Sequence, residues 1–177
     1  MQIRKEIEEA LFDLLAVRKS LKTISITELS EHAQISRRTF YRYYRSKEQV
    51  LTNYANRLIE HYIKTLQSAQ SYSFQQLIAV FFHYWTTYQN ELKILQEANL
   101  LTFFLHSYDQ QLLTIYTSIM APWHVANSHD KQVIYDSRYI VGALSGILEE
   151  WLRSDDYQVI SVEDLIAIAI DSNKRLQ

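Results

Sequence analysis

The 177-residue chain has two glycines, one proline and no cysteine. Glycine and proline together normally make up about 12% of a protein. Tight hairpins need residues at positive φ, so a sandwich or barrel with many turns is excluded. Phosphate-cradling loops need clustered glycines, which excludes a P-loop or dinucleotide fold. Both glycines, Gly142 and Gly146, fall inside an apolar helical pattern. Without cysteine there is no disulfide, thiolate metal ligand or thiol nucleophile. No apolar run reaches about 18 residues, the length a membrane helix needs. The first residues, Met-Gln-Ile-Arg-Lys-Glu-Ile-Glu-Glu, are too acidic for a targeting peptide. The expectation is an all-α cytoplasmic protein that does not enter a membrane.

What is present agrees with that class. Hydrophobic residues are 47% and charged residues 21%, values of a globular chain. The net charge of −2 hides an asymmetry. Residues 1–64 carry 12 Lys+Arg against 8 Asp+Glu, whereas residues 65–177 carry 6 against 12. A basic front and an acidic back point to one half that meets a polyanion and one that does not.

Hydrophobic periodicity and capping residues predict about nine helices. The first covers about 2–20, with Ile3, Ile7, Leu11, Leu14 and Leu15 on one face. Thr27 is read as the cap of a short helix over about 27–34, and Ser36 of another over about 37–44. Ser46 caps a long helix to about 68. Helices over about 74–89, 91–106 and 108–121 follow, ended by Pro122. The last two lie at about 131–153 and 161–175, the second capped by Ser161.

The chemistry concentrates between Thr27 and Lys47. Two short helices joined by a three-residue turn cannot bury much alone, and Leu29, Ala33, Ile35, Phe40 and Tyr44 supply a shared core. This is a helix-turn-helix pattern, whose second helix enters the DNA major groove. That helix and its exit hold Arg37, Arg38, Arg42, Arg45 and Lys47, with no acid between Glu31 and Glu48. Arginine forks match guanine edges or phosphate, and the hydroxyls of Thr39, Tyr41 and Tyr43 can donate to phosphate. At helical spacing Arg37, Tyr41 and Arg45 share a face.

The run Ile35-Ser-Arg-Arg-Thr-Phe-Tyr-Arg-Tyr-Tyr-Arg-Ser-Lys-Glu-Gln-Val-Leu51 resembles the signature of the TetR family of bacterial transcriptional regulators. The family pattern is roughly Val/Ile-Ser-x-x-Thr-Phe/Leu-Tyr-x-His/Tyr-Phe-x-x-Lys-Glu-x-Leu. The resemblance implies a three-helix DNA-binding domain over 1–47, with its motif at about 25–44, and a helical ligand-binding and dimerisation domain over 48–177. It implies that Thr27 touches phosphate and that Arg37, Arg38 and Thr39 begin the base-reading helix after Ser36. Tyr41 and Tyr43 match phosphate-contacting aromatics, and Lys47 matches a phosphate clamp. Two positions depart from the pattern. Gln34 stands where the turn usually has glycine, so either the turn shifts or Gln34 is strained. Tyr44 stands for phenylalanine, and its hydroxyl needs a partner.

The segment Tyr139 to Leu152 is similar to a Gly…Gly-Ile-x-x-x-Trp helix of a subgroup common in Firmicutes. In the family the last two long helices pair with those of a second copy. That resemblance implies a homodimer interface of Tyr139, Gly142, Ala143, Gly146, Ile147, Trp151, Leu165 and Ile168. Family members also often hold a small molecule among the middle helices, where this chain has many aromatics. Trp85, Tyr88, Phe104, Tyr108 and Tyr116 are the candidate lining of an effector pocket. No histidine spacing fits a metal site, and His83 and His106 are read as buried, hydrogen-bonded core residues. No catalytic constellation or cofactor site is found. The expected function is a regulator that binds double-stranded operator DNA, a repressor released by a small lipophilic effector. The alternative is a DNA-bound adaptor whose helical body recruits a protein.

Overall fold

The computed structural model describes residues 2–68, 73–111, 131–154 and 159–175. Nine α-helices are formed among them: α1 (Gln2–Arg18), α2 (Ile26–His32), α3 (Arg37–Tyr43), α4 (Lys47–Gln67), α5 (Phe74–Thr86), α6 (Gln89–Glu97), α7 (Leu101–Gln110), α8 (Lys131–Arg153) and α9 (Val162–Arg175). A 3₁₀ turn at Leu21–Thr23 separates α1 from α2. No strand occurs among the described residues, in keeping with the all-α expectation. None of the described helices is long and apolar enough to cross a membrane.

The helix starts follow their caps. Ser36 Oγ accepts from the Thr39 amide at 3.1 Å, Ser73 Oγ from Gln76 at 3.2 Å and Ser161 Oγ from Asp164 at 3.1 Å. Each bond satisfies an amide that has no partner within its helix. At α2 the cap is Ser25, not Thr27: Ser25 Oγ accepts from Glu28 at 3.0 Å, and Thr27 lies one residue inside the helix. The expected break near residue 107 is also displaced. The chain turns at Asn99, at φ 57°, and α7 runs on to Gln110. Most of the expected 108–121 helix lies outside the described residues.

With so little glycine, helix ends fall to other residues. Lys19, Gln34 and Asn99 all adopt positive φ. Gln34, at φ 55°, closes α2 in a Schellman arrangement. Its amide donates to Glu31 O at 3.0 Å, and the Ile35 amide donates to Ser30 O at 2.9 Å. The turn has therefore kept the glycine geometry, and the strain falls on Gln34. A side chain there costs about 1 kcal/mol. Gln34→Gly should raise unfolding stability by up to about 1 kcal/mol, less what the freer unfolded chain gives back. The reading is a higher urea midpoint at unchanged slope. A lower midpoint would mean that the glutamine side chain, not the backbone, decides this site.

Two compact units form. The first comprises residues Met1–Ile59 and Asn90–Tyr108, so α6 and α7 join the N-terminal helices. Its core stacks Ile7, Leu11 and Leu15 of α1 with Leu29, Phe40, Val50, Leu51, Ala55 and Leu58, all buried. Each large apolar side chain buried this way contributes about 1.5–3 kcal/mol. The second unit comprises Glu60–Gln89 and Asp109–Gln177. In it α5 packs against α9 and α8. Leu144, Leu148, Trp151 and Leu152 bury one stripe of α8, and Leu165 and Ala169 one stripe of α9.

Candidate nucleic-acid interface

Helix α3 has seven residues and only two large anchors, Phe40 inside it and Tyr44 at its C-cap, both buried. That pairing leaves the opposite side to solvent. Arg37, Arg38, Tyr41 and Arg42 are exposed there, and Tyr41 keeps 51% of its surface in water. Thr39 is half-buried, its hydroxyl 3.0 Å from Ser36 Oγ. Arg42 lies over the half-buried Tyr43 ring at 5.1 Å from its centroid, within cation–π reach. Thr27 is exposed in the first turn of α2. Arg45 falls beyond the helix, because Tyr44 is already extended at φ −140°, ψ 143°. It does not continue the face of Arg37 and Tyr41 as the spacing implied.

Lys47 departs from expectation. Its ammonium donates to Leu21 O and Ile24 O, each at 2.6 Å, and more weakly to Lys22 O at 3.5 Å. An ammonium has three donors, and all three face the backbone. Lys47 therefore ties the start of α4 to the 3₁₀ turn before α2 instead of standing free for phosphate. No residue pattern signals this, since its partners are carbonyls more than twenty residues away.

The Tyr44 hydroxyl has a partner: it donates to Glu8 Oε1 at 3.3 Å. Glu8 is only 4% exposed, and it receives both Arg57 nitrogens, Nη1 at 2.7 Å and Nη2 at 2.6 Å. Burial, then the Glu8 charge, then this hydrogen bond push the Tyr44 phenol up to about 12, so it stays a proton donor at neutral pH. The Glu8 hydrogen bond likewise raises Arg57 above the usual guanidinium value. On the exposed flank, Arg18 donates to Glu28 at 2.8 Å and holds that carboxyl below its ordinary range. Sequence reasoning missed Glu8 and Arg57. The one available signal was a carboxylate at the apolar spacing of Leu11, Phe12 and Leu15 on α1.

The expected pocket residues are distributed over both units and over positions outside the described residues. Trp85 and Tyr88 lie in the second unit, linked through Tyr84, whose ring centroid is 5.0 Å and 5.4 Å from theirs. Tyr62 joins them at 5.1 Å from Tyr84 and 5.6 Å from Trp85. Phe104 is buried in the first unit. Tyr116 and the Tyr108 side chain lie outside the described residues, as does the His106 side chain. His83 is exposed rather than buried, because it stands on the solvent side of α5 away from Phe82 and Trp85. No group of three or more His, Asp or Glu placed to hold a metal occurs among the described residues.

The expected dimer residues divide into two sets. Tyr139, Gly142, Ala143, Gly146 and Ile168 are exposed, and Ile147 is half-buried. Trp151 and Leu165 are not available to a partner: both are buried in their own unit, and Trp151 Nε1 donates to Ile160 O at 3.2 Å. Tyr135, one turn before Tyr139, extends the exposed stripe and is 67% exposed. Among the described residues, a Cβ on Gly142 or Gly146 meets nothing within 4 Å, so packing among them does not require glycine at either position.

Residues 15–53 match the family model described as bacterial regulatory proteins, tetR family. No curated protein matches the chain. Among solved structures, the chain is similar to the transcriptional regulator FadR from Bacillus subtilis, crystallised in complex with stearoyl-CoA. The TM-score is 0.62 at 15% identity, over 94% of each chain. At that identity the likeness is one of fold.

Proposed function

We propose, for a chain that belongs through residues 15–53 to the tetR family of bacterial DNA-binding regulators, that it acts as a homodimeric repressor released from a palindromic operator by a small lipophilic effector. The observation that carries this reading is the solvent side of α3. Arg37, Arg38, Tyr41 and Arg42 stand exposed there behind a capped start, with the half-buried Tyr43 ring beside Arg42, while Phe40 and Tyr44 hold the helix from below. Arg37 and Arg38 begin the helix, where side chains reach base edges. Ser36, Thr39 and Tyr43 flank them, and Thr27 approaches phosphate from α2. In this reading residues 1–47 handle DNA, and 48–177 handle pairing and the effector. Lys47 supports the DNA surface through the turn it holds.

Pairing rests on the exposed stripe of α8 with Ile168 of α9. Tyr135 and Tyr139 offer apolar area, and the two glycines let a second backbone come close. A two-fold pair presents two recognition helices to half-sites about 34–36 Å apart, or somewhat more.

For the effector, the ring cluster of Tyr62, Tyr84, Trp85 and Tyr88 offers apolar walls with hydroxyls. The FadR structure holds stearoyl-CoA. Long-chain acyl thioesters are therefore the first effectors to try. An effector favouring the released state by a few kcal/mol suffices to empty the operator.

The test has two stages. Selection of bound duplexes from random DNA should enrich an inverted repeat, and a flat pool would end the operator reading. Stearoyl-CoA should then lower affinity for the enriched duplex while free coenzyme A leaves it unchanged. Equal affinity with and without the acyl chain would remove this effector class.

A further inference from the structure

Among the described residues, Glu8 is the one charged side chain that is buried. A buried carboxylate is costly to desolvate, and an apolar side chain of similar volume often serves stability as well or better. Its partners indicate what it does instead. Arg57 engages both carboxylate oxygens as a fork and comes from α4, while its guanidinium also lies 5.3 Å from the Tyr54 ring centroid. Oε1 is shared with the hydroxyl of Tyr44. Tyr44 is the C-cap of α3, the residue at which the chain leaves the recognition helix.

The consequence is geometric. Phe40 and Tyr44 lie one helical turn apart on the buried side of α3. Two apolar anchors fill space, but a ring in an apolar slot can slide and rotate. A hydrogen bond to a carboxylate prefers one direction and one distance. The Glu8 carboxylate is itself held in orientation by the Arg57 fork. The end of α3 is thus registered against α1 and α4 together, through one charged joint inside a largely apolar core.

We infer that Tyr44, Glu8 and Arg57 form a positioning network that sets the aim of Arg37, Arg38 and Tyr41 toward base edges, and so contributes to sequence discrimination rather than to general DNA affinity. The inference rests on the DNA-binding reading above. None of the three residues touches DNA in it. They act through the tilt and rotation of α3. Phosphate contacts tolerate a small misaim because charge attraction falls slowly with distance, whereas bidentate base contacts do not.

The experiment compares the full-length wild type with Tyr44→Phe, Glu8→Gln and the double variant. Affinities are measured well below each melting temperature, for the enriched duplex and for a scrambled duplex, over a range of salt. Tyr44→Phe keeps the ring and so keeps the core. It should weaken the enriched duplex by about tenfold, the size of one spoiled base contact. Scrambled-duplex affinity and the salt slope should stay at the wild-type values, because the phosphate contacts remain. The double variant should lose no more discrimination than Glu8→Gln alone. Arg57→Lys, which keeps the charge and removes the fork, should not restore discrimination.

Equal losses on both duplexes, or no loss on either, would overturn the inference and leave the regulator reading intact. A wild type that does not distinguish the two duplexes would overturn both. Glu8→Gln is the variant most exposed to misfolding. If it does not fold, Tyr44→Phe and Arg57→Lys still decide the matter.

Discussion

Changing Arg37 and Arg38 together to alanine should lower affinity for the enriched duplex by about a hundredfold or more, since each good bidentate base contact is worth about 1–3 kcal/mol. Both side chains are exposed at the start of α3. The start itself is held by Ser36 and Thr39, and the underside by Phe40 and Tyr44. The variant should therefore melt within about 0.5 kcal/mol of the wild type, as surface changes away from caps and cores do. Part of the affinity is general charge, so scrambled duplexes should weaken too, with a salt slope shallower by about one for each phosphate no longer neutralised. The sequence-dependent part is what separates a reader from a merely basic surface. A loss shared equally by both duplexes would show that these arginines only neutralise phosphate. A change under about twofold on either would move the interface away from α3 altogether.

The second large effect concerns pairing. Gly142→Leu with Gly146→Leu should leave the single chain folded and prevent it from associating. Both glycines are exposed, and among the described residues a Cβ at either meets nothing within 4 Å, so the leucines start into open space. Leucine also favours the helix by up to about 1 kcal/mol over glycine at each site. A second copy approaching along that stripe would meet two bulky side chains where it needs close backbone approach. The expected results are a monomer in sedimentation and a normal thermal melt. Operator affinity should fall by about 10²–10⁴-fold, the benefit of linking two half-site contacts. A variant that still sediments as a dimer would place the seam elsewhere.

Much of this is legible in the residues. Periodicity predicts a helix over 131–153, and α8 is found at Lys131–Arg153, because its apolar pattern is long and ends in a polar break. The recognition helix is equally plain, since Ser36, Phe40 and the arginines each have one sensible place. Where two residues can do one job, sequence cannot choose. Ser25 and Thr27 are both good caps, and in the structure it is Ser25 that takes the Glu28 amide. The turn at Asn99 is hidden because no glycine or proline marks it. Trp151 and Leu165 read as seam residues because an apolar stripe does not say whether its cover comes from the same chain or another.

The longest-range features are invisible for a different reason. Glu8 meets residues 36 and 49 positions away, and Lys47 meets carbonyls 23 to 26 positions away. Periodicity reports which face of a helix is buried. It carries no information about which distant atom waits there, so a lone charge on an apolar face can be noted but not paired.

The recognition helix and the glycine-bearing stripe fall in different compact units. Damage to one therefore need not disturb the other. With pairing along that stripe as proposed, a copy stripped of its arginines would still find an intact mate, and the mixed pair would grip only half an operator. Expressed in excess beside the normal gene product, such a copy would act as a poison subunit, silencing healthy copies by partnership rather than by competing for DNA.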